Sequence, residues 1–162
     1  ERRAALAAAV QRRLGVGPGS FALSARAWLV RGRPAYERLA VAAPPEAVVA
    51  ALRDAIAARG ITEYAIVDHG HDMAAAGAPA FTAWTLVFGN PAAGAELLAR
   101  DLAAAVDIPL RLAVVAGEHG DAEIVLRDMR SLLGDDLGEL ADGLTAVLRS
   151  LASEARDRAA AG

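Results

Sequence analysis

From residue 35 onward, short runs of β-branched and aromatic residues alternate with longer stretches whose apolar positions recur every three or four residues. The first pattern suits strands and the second amphipathic helices, because side chains alternate across a strand and repeat every 3.6 residues around a helix. AYERLAVA (35–42) reads as the first strand. Pro44 and Pro45 then open a helix to about Arg59, with Glu46 in its first turn and Gly60 at its stop. Its buried face is expected at Val48, Val49, Leu52 and Ile56. ITEYAIV (61–67) has the composition of a strand and ends on Asp68-His69, with a loop expected after it. TAWTLVF (82–88) is the next strand, and the Asn90-Pro91 corner opens a helix to about residue 104. LRLAVVA (110–116) and AEIVLR (122–127) are separated only by Gly117 to Asp121, which predicts an antiparallel hairpin. From about Leu137 the chain is helical, with Leu137, Leu140, Leu144, Val147, Leu148 and Leu151 on one stripe. The order β-α-β-β-α-β-β-α predicts an α+β fold built as a two-layer sandwich.

Residues 1–34 stand apart from this pattern. Residues 4–14 suit a short helix with Leu6, Val10 and Leu14 in line, GVGPGS (15–20) is loop, and FALSARAWLV (21–30) fits strand or helix equally. The chain is therefore divided into a basic arm (1–34) and a single α+β domain (35–162). Residues 1–40 hold eight of the 17 basic residues, all Arg, against Glu1 and Glu37. The arm is expected to dock on its own body or on a partner subunit, so that deleting residues 1–33 lowers the melting temperature or dissociates a dimer. Nucleic acid is not expected as a partner, because the formal net charge of -3 repels phosphate.

Composition narrows the chemistry. There is no Cys, which excludes disulfides, thiolate metal sites and cysteine nucleophiles. No run approaches the ~20 apolar residues of a membrane span. The opening ERRAALAAAVQRR is closed by Arg12 and Arg13 and does not read as a secretory leader, so a cytoplasmic protein is expected. The chain starts on Glu, so its natural start is expected upstream.

LVFGNPAAGAELL (86–98) is the best-defined local motif. Asn90 is placed to cap the following helix, and Pro91 suits its first position. Gly94, one turn in, weakens the helix, so close approach of a packed strand, a facing subunit or a ligand is expected there. No GxxxxGK[ST], no GxGxxG and no Lys is present, so the corner is read as a cap before an anion site.

Three histidines exist, His69, His71 and His119. With Asp72 and Glu118 nearby in sequence, they could ligate zinc or non-haem iron. Asp68-His69 could instead form an acid-base pair, but neighbours on a strand point to opposite faces. One is more readily a cap and the other a groove residue. Ser20, Ser24, Ser131, Ser150 and Ser153 lie in no nucleophile-elbow context.

Asp68-His69, Gly77, Phe88-Gly89-Asn90-Pro91 with Gly94, Asp107-Ile108-Pro109-Leu110 and the Gly120 turn together resemble family three hundred and two of the domains of unknown function. The resemblance spans about residues 35–150 and implies a small, dimeric α+β domain of bacteria and archaea, with no established reaction. Ala95 replaces a usual Thr, Met129 a usual Pro, and His71-Asp72 replaces small residues. The expected function is a homodimeric domain binding a small apolar or weakly anionic molecule through His69, Phe88, Asn90 and Gly94. One alternative is an enzyme using His69, with Asp68 as acid-base partner or with His71 and His119 as metal ligands. The other is a structural interaction module. The cofactor, if any, stays open, and no membrane partner is expected.

Overall fold

A computed structural model describes residues 36–161. The arm expected at residues 1–34 lies outside the described residues. Strands β1 (Tyr36–Val41), β2 (Thr62–Asp68), β3 (Ala83–Gly89), β4 (Leu110–Ala116) and β5 (Ala122–Arg127) form one sheet in the order β1-β5-β4-β3-β2. Every neighbouring pair is antiparallel. The helices are α1 (Pro45–Ala58), α2 (His69–Ala75), α3 (Pro91–Arg100), the single turn α4 (Arg130–Leu133) and α5 (Gly138–Ala161). A 3-10 helix, Leu102–Val106, follows α3. No helix among the described residues is long and apolar enough to cross a membrane.

Strand alternation sorts the sheet into two faces. Leu86 and Phe88 of β3, Leu112 and Val114 of β4, and Ile124 and Leu126 of β5 pack with Val48, Leu52 and Ile56 of α1 and Leu148 and Leu151 of α5. Removing these side chains from water is the main force holding helices to sheet. The α+β sandwich is thus one sheet with α1 and α5 on one side. The opposite face carries Tyr36, Arg38 and Ala40, then Glu123, Val125 and Arg127, then Arg111, Ala113 and Val115, and finally Ala83, Thr85 and Val87.

The element order follows the sequence pattern, with three corrections. The segment after Asp68 is the helix α2 rather than a loop, because the Asp68 side chain caps it by accepting from the His71 amide at 2.9 Å. α3 stops at Arg100 rather than near 104. Asp101 takes an extended backbone, φ -148 and ψ 112, and its side chain starts the 3-10 helix by accepting from the Ala103 amide. The buried side of α5 is richer in small residues than the leucine stripe suggests. Ala141, Thr145, Ala152 and Ala155 are buried with Leu148 and Leu151, while Leu140, Leu144 and Val147 are only half-buried.

Small side chains explain how closely the helices pack. Ala51 and Ala55 of α1 share one core cluster with Ala152 and Ala155 of α5. A glycine supplies the tight connection between β4 and β5, where Gly120 sits at φ 83. Asp121 closes that hairpin, its carbonyl accepting from the Gly117 amide at 2.9 Å and its carboxylate from the His119 amide at 3.3 Å.

Candidate functional site

At the Asn90-Pro91 corner the Asn90 side-chain oxygen accepts from the Ala92 amide at 2.9 Å, and its carbonyl accepts from the Gly94 amide at 2.9 Å. Pro91 occupies the start of α3. The corner is therefore a helix cap, as its sequence implies. Beneath it lies a cavity of about 600 Å³. β2 and the turn before it supply Tyr64 and Ile61, β3 supplies Phe88 and Gly89, and α3 supplies Ala93, Gly94, Leu97 and Leu98. Ile108, Pro109 and Leu110 close one side, and Leu144 and Val147 of α5 another.

The lining is almost wholly apolar. Among the described residues, Asn90 and Tyr64 are its only polar side chains, and no carboxylate, guanidinium or imidazole belongs to its lining. Tyr64 reaches the rim through a β-bulge. The β2–β3 register shifts between Glu63 and Ala65, and the extra residue of a bulge is re-aimed out of the strand's alternation. Phe88 is fully buried and backs the cavity.

Gly94 borders this space, but not for the reason its position in a helix suggests. A Cβ built on Gly94 would meet nothing closer than Ile108 Cδ1, at 3.6 Å, an ordinary van der Waals distance. Among the described residues no packed strand comes close to the glycine; the cavity faces it instead. Of the four residues expected to hold a ligand, Phe88, Asn90 and Gly94 come together here and His69 does not.

His69 sits at the other end of β3. Its Nε2 lies 2.9 Å from the Thr85 hydroxyl, a hydrogen bond whose donor depends on the imidazole tautomer. Thr85 projects from the face opposite Leu86 and Phe88, and roughly 17 Å of strand separates it from the corner at about 3.4 Å per residue. Asp68, spent on capping α2, does not pair with the His69 ring. Gly70 separates His69 from His71 for packing reasons, since a Cβ there would lie 2.7 Å from the Phe81 carbonyl oxygen. His71 and His119 are both exposed, the latter on the β4–β5 hairpin. Among the described residues, no group of three or more His, Asp or Glu side chains is arranged to hold a metal ion. The three histidines are thus not assembled into the expected ligand set.

Sequence reasoning missed Tyr64, Ile108, Leu144 and Val147 as lining residues. Leu144 and Val147 were visible on the α5 stripe, but nothing local distinguishes a cavity wall from a core contact. Tyr64 had no local signal, because its orientation depends on the bulge.

The comparisons with known proteins agree with this architecture. Residues 37–158 match the family described as Domain of unknown function DUF302. A solved structure of an uncharacterized conserved protein DUF302 from Bacillus stearothermophilus is similar, with a TM-score of 0.66 and 19% sequence identity. The similarity covers 78% of this chain and 99% of that one, and at this identity it speaks to the fold alone. No curated protein matches the chain. The chain belongs to the DUF302 family.

Proposed function

We propose that this domain binds a small, predominantly apolar molecule in the cavity beneath the Asn90-Pro91 corner. The observation that carries the reading is the cavity itself: about 600 Å³ of space walled by aliphatic and aromatic side chains. That volume lies within the roughly 300–1,000 Å³ of small-molecule sites, which are likewise mostly apolar with a few orienting polar groups. Asn90 and the Tyr64 hydroxyl supply those groups at the rim. An ionised ligand headgroup buried against this lining would lose its hydration without gaining an opposite charge, so the buried part of the ligand is uncharged. The same geometry disfavours His69 as a catalyst acting on a molecule held here, because the imidazole lies on the other face of the sheet.

The test uses the neutral fluorophore N-phenyl-1-naphthylamine. The wild-type chain should take it up saturably, and Gly94→Leu, which sends an aliphatic side chain into the cavity, should weaken uptake about tenfold or more while far-UV circular dichroism stays unchanged. Absence of saturable uptake by the wild type, or equal uptake by the folded variant, sinks the proposal. Mass spectrometry of small molecules carried by the native protein would then identify the ligand.

A further inference from the structure

The two polar side chains of the cavity stand together at its mouth. Tyr64 is the bulged residue of β2, set out of the register that pairs Glu63 with Phe88 and Ala65 with Val87. Its ring lies against Gly89, where an added Cβ would meet Tyr64 Cε2 at 3.5 Å and Pro109 Cβ at 3.7 Å. The next residue in the chain is Asn90, so the phenol and the carboxamide flank one stretch of backbone at the turn from β3 into α3. Both side chains are exposed, whereas Phe88 and Leu97 of the same lining are buried. The polar groups thus meet water at the edge of the cavity, and the rest of its side-chain lining is apolar.

Capping fixes what these groups offer. Asn90 Oδ1 is taken by the Ala92 amide at 2.9 Å. That bond sets the orientation of the carboxamide and leaves Nδ2, with its two N–H groups, to face elsewhere. Among the described residues, neither Nδ2 nor the Tyr64 hydroxyl has a hydrogen-bond partner. The mouth therefore presents two amide donors and one hydroxyl that donates or accepts. A ligand head with an accepting oxygen suits both groups at once. A head that only donates leaves the carboxamide unmatched. Charge is a second filter. No carboxylate or guanidinium belongs to the described lining, so an ammonium or a carboxylate head would give up hydration with no opposite charge to replace it.

Taking the cavity as the ligand site, we propose that its ligand is an apolar molecule whose polar end is a neutral accepting oxygen, as in an ester or a ketone. The apolar body fills the space behind Tyr64 and Asn90. The oxygen lies at the mouth, where it accepts from Asn90 Nδ2 and from the Tyr64 hydroxyl. A carbonyl oxygen has two lone pairs, so a single atom receives both bonds.

The experiment is displacement of N-phenyl-1-naphthylamine from the full chain by ligands with similar tails and different heads: methyl decanoate, decylamine and decanoate. Methyl decanoate should displace the fluorophore at a concentration about tenfold lower than either charged ligand. Asn90→Asp keeps the cap, since Asn and Asp serve about equally well there, but puts a charged accepting oxygen where two donors stood. It should weaken methyl decanoate about tenfold and tighten decylamine, reversing their order. Tyr64→Phe keeps the ring and removes the hydroxyl. It should weaken methyl decanoate about threefold or more and leave decylamine unmoved, and it decides the matter if circular dichroism shows Asn90→Asp unfolded. A wild type that takes up no fluorophore sinks the cavity as a ligand site. Uptake with equal displacement by all three ligands, or with a charged ligand ahead, overturns the neutral head and leaves the cavity standing. An ester preference that neither substitution changes overturns the assignment to Asn90 and Tyr64.

Discussion

Asp68 and His69 are adjacent, yet their side chains serve different neighbours. The carboxylate holds the first turn of α2, and the imidazole bonds to Thr85 across the edge of the sheet. Replacing His69 by Ala removes one hydrogen bond at a half-buried position. Water can reach the freed Thr85 hydroxyl there, so the cost should be about 1 kcal/mol. Uptake of N-phenyl-1-naphthylamine by the cavity should not change, because the imidazole is neither on that face nor at that end of β3. Urea unfolding and the fluorophore titration check both halves. Reduced uptake with stability intact would instead place His69 in contact with the ligand. Gly94 teaches a complementary lesson: a glycine in a helix signals missing volume, but it does not say whether backbone or empty space adjoins it.

At the scale of the element, α5 depends on a buried hydroxyl. Thr145 is 2% exposed; its hydroxyl donates to the Ala141 carbonyl at 2.9 Å and accepts from the Met129 amide at 3.0 Å. This one side chain fastens the connection between β5 and α4 to the long helix. Thr145→Val keeps the volume but leaves the Met129 amide without its acceptor, and should cost about 1–3 kcal/mol. Thr145→Ser, which retains the oxygen, should recover most of the loss; equal unfolding midpoints for the two variants would show that the hydroxyl does not matter. The sequence located α5 and its leucine stripe, but not the small residues buried beside that stripe. Its leucines drew the apparent stripe, whereas alanine, small enough for core or surface, left no mark on the pattern although it packs against α1. α2 was hidden differently. HGHDMAA contains several poor helix formers, and only the capping geometry of Asp68 reveals the turn. Phe88, Asn90 and Gly94 were legible because one local corner holds all three. Tyr64 and Val147 join them only through the bulge and the packing of a helix far along the chain.

At the scale of the whole molecule, α1 and α5 close one side of the sheet, and ion pairs tie α5 to β1 and to the end of α1. Arg149 of α5 donates to Glu37 of β1, and Arg59, just beyond α1, bonds to Glu154 of α5 at 2.7 Å. Both carboxyls are held below their ordinary value of 4.5: Glu37 chiefly by the hydrogen bond from Arg149, and Glu154 by those from Arg59 and Arg158. A carboxyl whose pKa is lower in the folded than in the unfolded chain stabilises the fold fully above the unfolded value. That contribution is lost as pH falls through the lowered folded value. The sheet's attachment to α5 should therefore weaken below about pH 4.5 and not on the alkaline side. For Glu37, whose side chain is 36% exposed, solvent screening limits the contribution to about 1 kcal/mol or less. Urea midpoints measured at about pH 7 and about pH 3 should differ less in Glu37→Gln and in Glu154→Gln than in the wild type. The two pairs share no residue and lie on different elements beside α5, so their effects should add in the double variant. A fall in midpoint as large in the double variant as in the wild type would mean that acid acts elsewhere, and that these pairs decorate α5 without fastening it.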